Sequence, residues 1–134
     1  MLARLASTLD DIVGGRFGWN IVTSREDTAA QNFGLDKLPP REFRYAMADE
    51  YVDLVCKCFD SWDSDPVVMD HATGTYADHT KVHPIHFDGQ FFRCRVRLNT
   101  VRSPQGKPVD VQAGGPSRVG APTPSSPSAT ASPA

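Results

Sequence analysis

GGRFGWNIVTS, residues 14–24, decides the fold. Two glycines stop whatever precedes them, and the apolar run that follows alternates Phe17, Trp19 and Ile21 with Gly18, Asn20 and Val22. Both alternating sets are mainly apolar or small, the pattern of a parallel strand covered on both faces and so of an α/β fold. Asn20 stands near the strand's C-terminal end. A buried amide there must be tied to backbone or face a ligand. In α/β folds, ligands bind at the C-terminal ends of strands, in barrels and open sheets alike.

On the N-terminal side, Leu2, Leu5, Ala6, Leu9, Ile12 and Val13 follow the 3.6-residue period of an amphipathic helix. Gly14 and Gly15 supply its stop. The period begins immediately after Met1 with no capping residue, which reads as a chain that starts inside an element. On the C-terminal side, SRED (residues 24–27) fits the capping-box template, and a short helix through TAAQNF should end at Gly34. Pro39 or Pro40 is placed to open a long helix over REFRYAMADEYVDLVCKCFDSW at its first helical position. Its stripe is Tyr45, Ala48, Val52, Val55 and Phe59, with Tyr51 and Trp62 at the margin. Glu42, Asp49 and Glu50 favour the positive end of its dipole, and Arg41 and Arg44 oppose it.

From Asp63 to Gly106 the period is lost, and the turn signals DSDP, ATGT, FDGQ and SPQGK cut the chain into short pieces. Short strands are expected at VVMD and QFFRCRV, with another at PVDVQAGG, where Asp110 is an awkward guest. Residues 116–134 are nearly all Pro, Ser, Ala, Thr and Gly, a composition that cannot bury enough surface to order itself. They read as a disordered tail.

With 14 basic and 16 acidic residues and a net charge of −2, the chain carries no electrostatic footprint for nucleic acid or for a membrane surface. No apolar run approaches the ~20 residues of a membrane span, and Asp10 and Asp11 break the only candidate leader, so the sequence reads as cytoplasmic. Cys56, Cys58 and Cys94 form no disulfide framework. Cys56 and Cys58 point about 200° apart on a helix, and so read as packing thiols. His71, His79, His83 and His86 fall at turns or on opposite sides of an extended segment and read as loop histidines, with no metal assigned. The phosphate-cradling P-loop, the dinucleotide GxGxxG, the GxSxG elbow and HExxH are all missing.

Arg41 and Tyr45 lie one helical turn apart at the start of the long helix, whose N-terminus should share a rim with the end of the Asn20 strand. A cation, a phenol and open N–H groups suit a phosphate-bearing ligand. The competing reading pairs Arg41 with a surface carboxylate and packs Tyr45 and Trp19 in the core.

In this order, GWNIVTS, RYAMADEY, KVHPIHF and SPQGKPVDVQAGG resemble the family of nitrilotriacetate monooxygenase component A and dibenzothiophene sulfone monooxygenase, within the bacterial luciferase-like flavin enzymes. Long-chain alkane monooxygenase is similar too. The resemblance covers roughly residues 2–115. It implies a (β/α)₈ TIM barrel, which takes ~250 residues to close. Residues 1–115 then correspond to a central slice of that barrel, too short to close it. It also implies reduced FMN from a separate NAD(P)H-dependent flavin reductase, insertion of one oxygen atom of O₂ into a small organic substrate, and homo-oligomers among full-length relatives. By this analogy Asn20 stands at the barrel mouth, and Tyr45 matches the family's flavin-contacting tyrosine in RY. Arg41 takes the place where many members carry histidine. Ser117 corresponds to a serine that helps hold FMN, although here the order is Pro116 then Ser117. Aminopolycarboxylate, sulfone and alkane substrates all stay open, as does the alternative of a non-catalytic α+β interaction module or an inactive gene remnant. The abrupt end of the resemblance after Gly115 suggests an out-of-frame tail.

Overall fold

A computed structural model describes residues 1–112. The tail expectation, the boundary at residue 115 and Ser117 lie outside the described residues.

The N-terminal helix α1 runs Leu2–Ile12 and ends at Val13, followed by Gly14 and Gly15 with φ of 61° and 76°, the left-handed conformation that glycine adopts without penalty. Its buried face is not the leucine stripe. Ala3, Ala6, Ser7 and Asp10 turn inward, while Leu5 is 53% and Ile12 74% exposed. Small side chains let the helix approach its neighbours closely, and the larger stripe is left at the side.

Strand β1 is Gly18–Asn20, shorter than expected. It pairs in parallel with β6, Val109–Val111, in the register Gly18 to Val109, Trp19 to Asp110 and Asn20 to Val111. The parallel reading is therefore correct, but cover on both faces is not. Trp19 is half-buried, while Gly18, Asn20 and all three residues of β6 are exposed. The reason is that among the described residues this ladder has two strands only, with no further strand beside it to extend the cover.

Between these strands come α2 (Asp27–Gln31), α3 (Arg41–Phe59) and two small hairpins, β2 (Val67–Asp70) with β3 (Thr75–Ala77) and β4 (Phe87–Asp88) with β5 (Arg93–Cys94). VVMD forms the strand expected of it; QFFRCRV contributes only its middle. The capping box at Ser24 does not form. Ser24 adopts φ 63°, the N-cap of α2 is Glu26, and Asp27 instead accepts a bond from the Leu38 amide at 2.9 Å. Pro40 is the N-cap of α3, one position before the first helical residue. Burial along α3 increases toward its C-terminal end, where Leu54, Val55 and Phe59 are enclosed.

The core joins α1 to the end of α3: Ala3, Ala6, Val55, Phe59, Trp62 and Leu98, with Phe17, Trp19 and Tyr51 against it. Polar bonds fasten the return segment to this core. Trp62 Nε1 donates to the Leu98 carbonyl at 2.7 Å, Ser61 Oγ accepts from the Leu98 amide at 2.9 Å, and Arg102 donates to the Trp62 carbonyl at 3.1 Å. These bonds hold residues 98–102 beneath α3 and so deliver the chain to β6.

One carboxylate closes the N-terminal end of the parallel ladder. Asp10 is fully buried and accepts from the amide of Phe17, which leads into β1, and from the amide and side chain of Gln105, which precedes β6. The Gln105 side chain also donates to the Phe17 carbonyl at 2.9 Å. The described residues thus make an α/β unit whose single parallel ladder does not close into a barrel.

Candidate functional site

The opposite, C-terminal end of β1 is fastened by Arg44. The chain leaves the strand through Thr23 and bends at Ser24, and Pro39 and Pro40 lead into α3. Arg44, in the first turn of that helix, donates through Nη1 to the carbonyls of Thr23 at 2.8 Å and Ser24 at 2.6 Å, and through Nε to that of Pro39 at 3.0 Å. Guanidinium is the side chain suited to this task, because its planar fork offers several donors at fixed angles. The shared rim expected from the sequence therefore exists: the end of the strand and the start of the helix meet there. Arg44→Met keeps the stem and removes the donors. It should cost about 1.5 kcal/mol in stability and speed amide exchange in residues 21–25, measured by urea unfolding and hydrogen exchange.

Arg41 and Tyr45 come together on that rim. The Arg41 guanidinium carbon lies 5.1 Å from the Tyr45 ring centroid, a cation–π arrangement in which Arg41 is exposed and Tyr45 half-buried. The first-turn amides of α3 have no carbonyl one turn earlier in the helix to bond, and the helix dipole is positive there. Glu42 in the same turn subtracts from that field.

Asn20 occupies a different face. Trp19 turns toward α3, with its ring edge-on to Tyr51 at 6.3 Å, so strand alternation sends Asn20 to the other side of the ladder. It is exposed there, which corrects the buried setting expected of it. Arg41 and Tyr45 are in contact, and Asn20 ends the strand that leads toward their rim.

Beside the rim lies a cavity of about 510 Å³, bounded by Val22 and Thr23 after the strand, Ala30 of α2, Met47 and Tyr51 of α3, and Phe92 of the β4–β5 turn. Tyr51 and Phe92 pack ring to ring at 5.1 Å. Burial raises the Tyr51 phenol above its ordinary range, with Cys58 adding to the effect, so it stays protonated at neutral pH. Burial likewise pushes Cys58 up to about 11, helped by Cys94, and raises Cys56, as packing thiols require. His83 meets Asp63 at 2.9 Å. Among the described residues no group of three or more His, Cys, Asp or Glu side chains is placed to hold a metal ion.

Sequence reasoning missed two residues that build this region. Arg44 read only as a charge opposing the helix dipole; the signal was its position one turn after a Pro-Pro pair, within reach of the loop carbonyls. Glu50 read as a charge near the helix start. It stands mid-helix and accepts from the amides of Gln90, Phe91 and Phe92 at 2.9, 2.9 and 2.7 Å. No local pattern marks a contact that reaches 40 positions along the chain.

A family model described as luciferase-like monooxygenase matches residues 1–121. Dibenzothiophene-sulfone monooxygenase of Rhodococcus erythropolis is 45% identical over 113 residues, covering 84% of this chain and 25% of that protein. Nitrilotriacetate monooxygenase component A of Aminobacter aminovorans is 43% identical over 113 residues, with the same two coverages. A crystal structure of a riboflavin lyase with modified FMN and riboflavin is 42% identical, with a TM-score of 0.77 over 84% of this chain and 25% of that one. The chain thus spans about a quarter of the length of the relatives it matches.

Proposed function

The chain belongs to the luciferase-like monooxygenase family, and on that premise we propose that it contributes one rim of an FMN-dependent monooxygenase site acting on a small organic substrate. The observation that carries the proposal is the corner where Arg44 joins the end of β1 to the first turn of α3, beside the stacked Arg41 and Tyr45. A guanidinium, a phenol and a helix N-terminus form the donor set that a flavin phosphate takes.

In this reading Arg41 attracts the phosphate, Tyr45 donates a hydrogen bond to the flavin, and Asn20 orients flavin or substrate from the ladder's other face. Ser117 is a fourth candidate contact. Bound reduced FMN would supply the electrons that let one atom of O₂ enter the substrate while the other leaves as water. The protein's own work is positioning and exclusion of water. A single two-stranded parallel ladder with three α-helices and two small hairpins cannot enclose a reaction, so the activity is proposed for this segment within a complete barrel.

The partner proposed is an NAD(P)H-dependent flavin reductase, as the words "component A" in a relative's name suggest. Homo-oligomers and a cytoplasmic setting complete the proposal; no described helix is long and apolar enough to cross a membrane. Residues 1–115 are proposed as the barrel segment and residues 116–134 as an appendage.

Equilibrium titration of the chain with reduced FMN under anaerobic conditions tests the reading. Saturable binding is expected, and Tyr45→Phe should weaken it by about 0.5 to 1.5 kcal/mol, the loss of one neutral hydrogen bond. Unchanged affinity in that variant removes the role of Tyr45. Absence of any flavin binding, together with tight capture of a protein partner, would favour the interaction-module alternative.

A further inference from the structure

The cavity beside the rim is apolar almost throughout, and its size lies within the range of small-molecule sites. Arg44 brings a charge to its lining, but that guanidinium is turned onto the carbonyls of Thr23, Ser24 and Pro39. A tricarboxylate entering here would find one cation already engaged. An uncharged aromatic or aliphatic group would find Val22, Met47, Tyr51 and Phe92.

The position of Phe92 is imposed from beneath. The Glu50 carboxylate takes three successive amides of the β4–β5 turn, with Oε1 accepting from Phe91 and Phe92 and Oε2 from Gln90. Gly89 makes this approach sterically feasible. A Cβ at that position would overlap the Glu50 carboxylate and the Phe87 ring. The same clamp seats Phe91 edge-on to Phe43 at 5.1 Å, so both aromatic residues of the turn are fixed to α3. Three amides converging on a single carboxylate anchor three of the four turn residues between β4 and β5. What they fix is the wall of the cavity.

We propose that this cavity is the subsite for the uncharged, apolar part of the organic substrate, and that Glu50 is a positioning residue that sets its width through Phe92. The proposal rests on the monooxygenase reading for the word substrate only. The binding it describes is measurable without flavin.

The test is a fluorescence titration of the chain with N-phenyl-1-naphthylamine, an uncharged apolar probe. Glu50→Gln keeps one acceptor oxygen but presents an NH₂ to the Gln90 amide, and should weaken binding about fivefold, the loss expected when one hydrogen bond of positioning goes. Phe92→Ala should weaken it about tenfold or more. In the Phe92→Ala background, Glu50→Gln should change affinity less than about twofold, because the wall it positions is gone. Equal losses with and without Phe92 would overturn the positioning role. Gly89→Ala reaches the same contact from the turn and should reproduce the Glu50→Gln loss; wild-type affinity in a folded Gly89→Ala chain would count against it, and keeps the test open if Glu50→Gln fails to fold. Dibenzothiophene sulfone should displace the probe and nitrilotriacetate should not; the reverse order would overturn the substrate class. Reduced FMN titrated in parallel separates the readings. Probe binding that depends on Phe92 without flavin binding would leave the subsite standing and remove the flavin rim, whereas flavin binding without a probe site would do the opposite.

Discussion

Trp62→Ala should destabilise the chain by about 4 kcal/mol, the usual loss for truncating an enclosed aromatic residue. Trp62 lies at the centre of the core with 9% of its surface exposed, and its indole N–H donates to the Leu98 carbonyl at 2.7 Å. Truncation opens a void between α1 and α3 and also strands that carbonyl. Leu98 begins the segment that carries the chain back to β6, so the parallel ladder should loosen with the core. Urea unfolding followed by the fluorescence of the other tryptophan, Trp19, reads both effects. Trp62→Phe keeps most of the packing and should lose only about 1 to 2 kcal/mol. If the two variants unfold at the same urea concentration, the hydrogen bond and not the ring carries the stabilisation.

The second large effect is expected at Asp10. Asp10→Ala removes three acceptor contacts at once and leaves the amides of Phe17 and Gln105 without their partner, at a cost of about 3 kcal/mol. The same residue gives a pH signature. Burial acts to raise the Asp10 pKa, but the bonds from the Gln105 side chain and from the Phe17 and Gln105 backbone outweigh it, and the net direction is downward. A carboxyl group whose folded pKa lies below its unfolded value adds stability at pH values above the unfolded value. That stability drains away as pH falls from about 4 through the folded pKa. Wild type should therefore lose stability more steeply than Asp10→Asn below about pH 4, measured as the urea midpoint at successive pH values. Parallel curves would show that the Asp10 charge contributes nothing.

These two residues show where the sequence was legible. The 3.6-residue period located α1 and α3, the glycine pair located the end of α1, and the mainly apolar or small character of both alternating sets in residues 17–22 identified a parallel strand. These signals are local. Asp10 is different: it stood out only as a charge that breaks a candidate leader, its partner Gln105 lies 95 positions away, and no local pattern announces it. Glu50 escaped for the same reason, whereas Arg44 had a local signal in the Pro-Pro pair one turn before it. The exposure of Asn20 also could not be read from residues 14–24 alone, because cover for a strand face comes from elements elsewhere. At the candidate site, spacing placed Arg41 beside Tyr45, since both ride on one helix. The cavity wall at Phe92 arises from a long-range clamp and was invisible.

The Asp10 clasp has a further consequence for how the molecule is made. Phe17 and Gln105 are 88 positions apart. At a translation speed of about 5–20 residues per second, β1 waits on the order of ten seconds before its described partner is synthesised. During that interval the nascent chain holds Val22 and Trp19 in an unpaired segment, the kind of surface that chaperones grip. Closing so large a loop is entropically unfavourable until the far contacts reward it, so helix pairing should precede strand pairing on the ribosome.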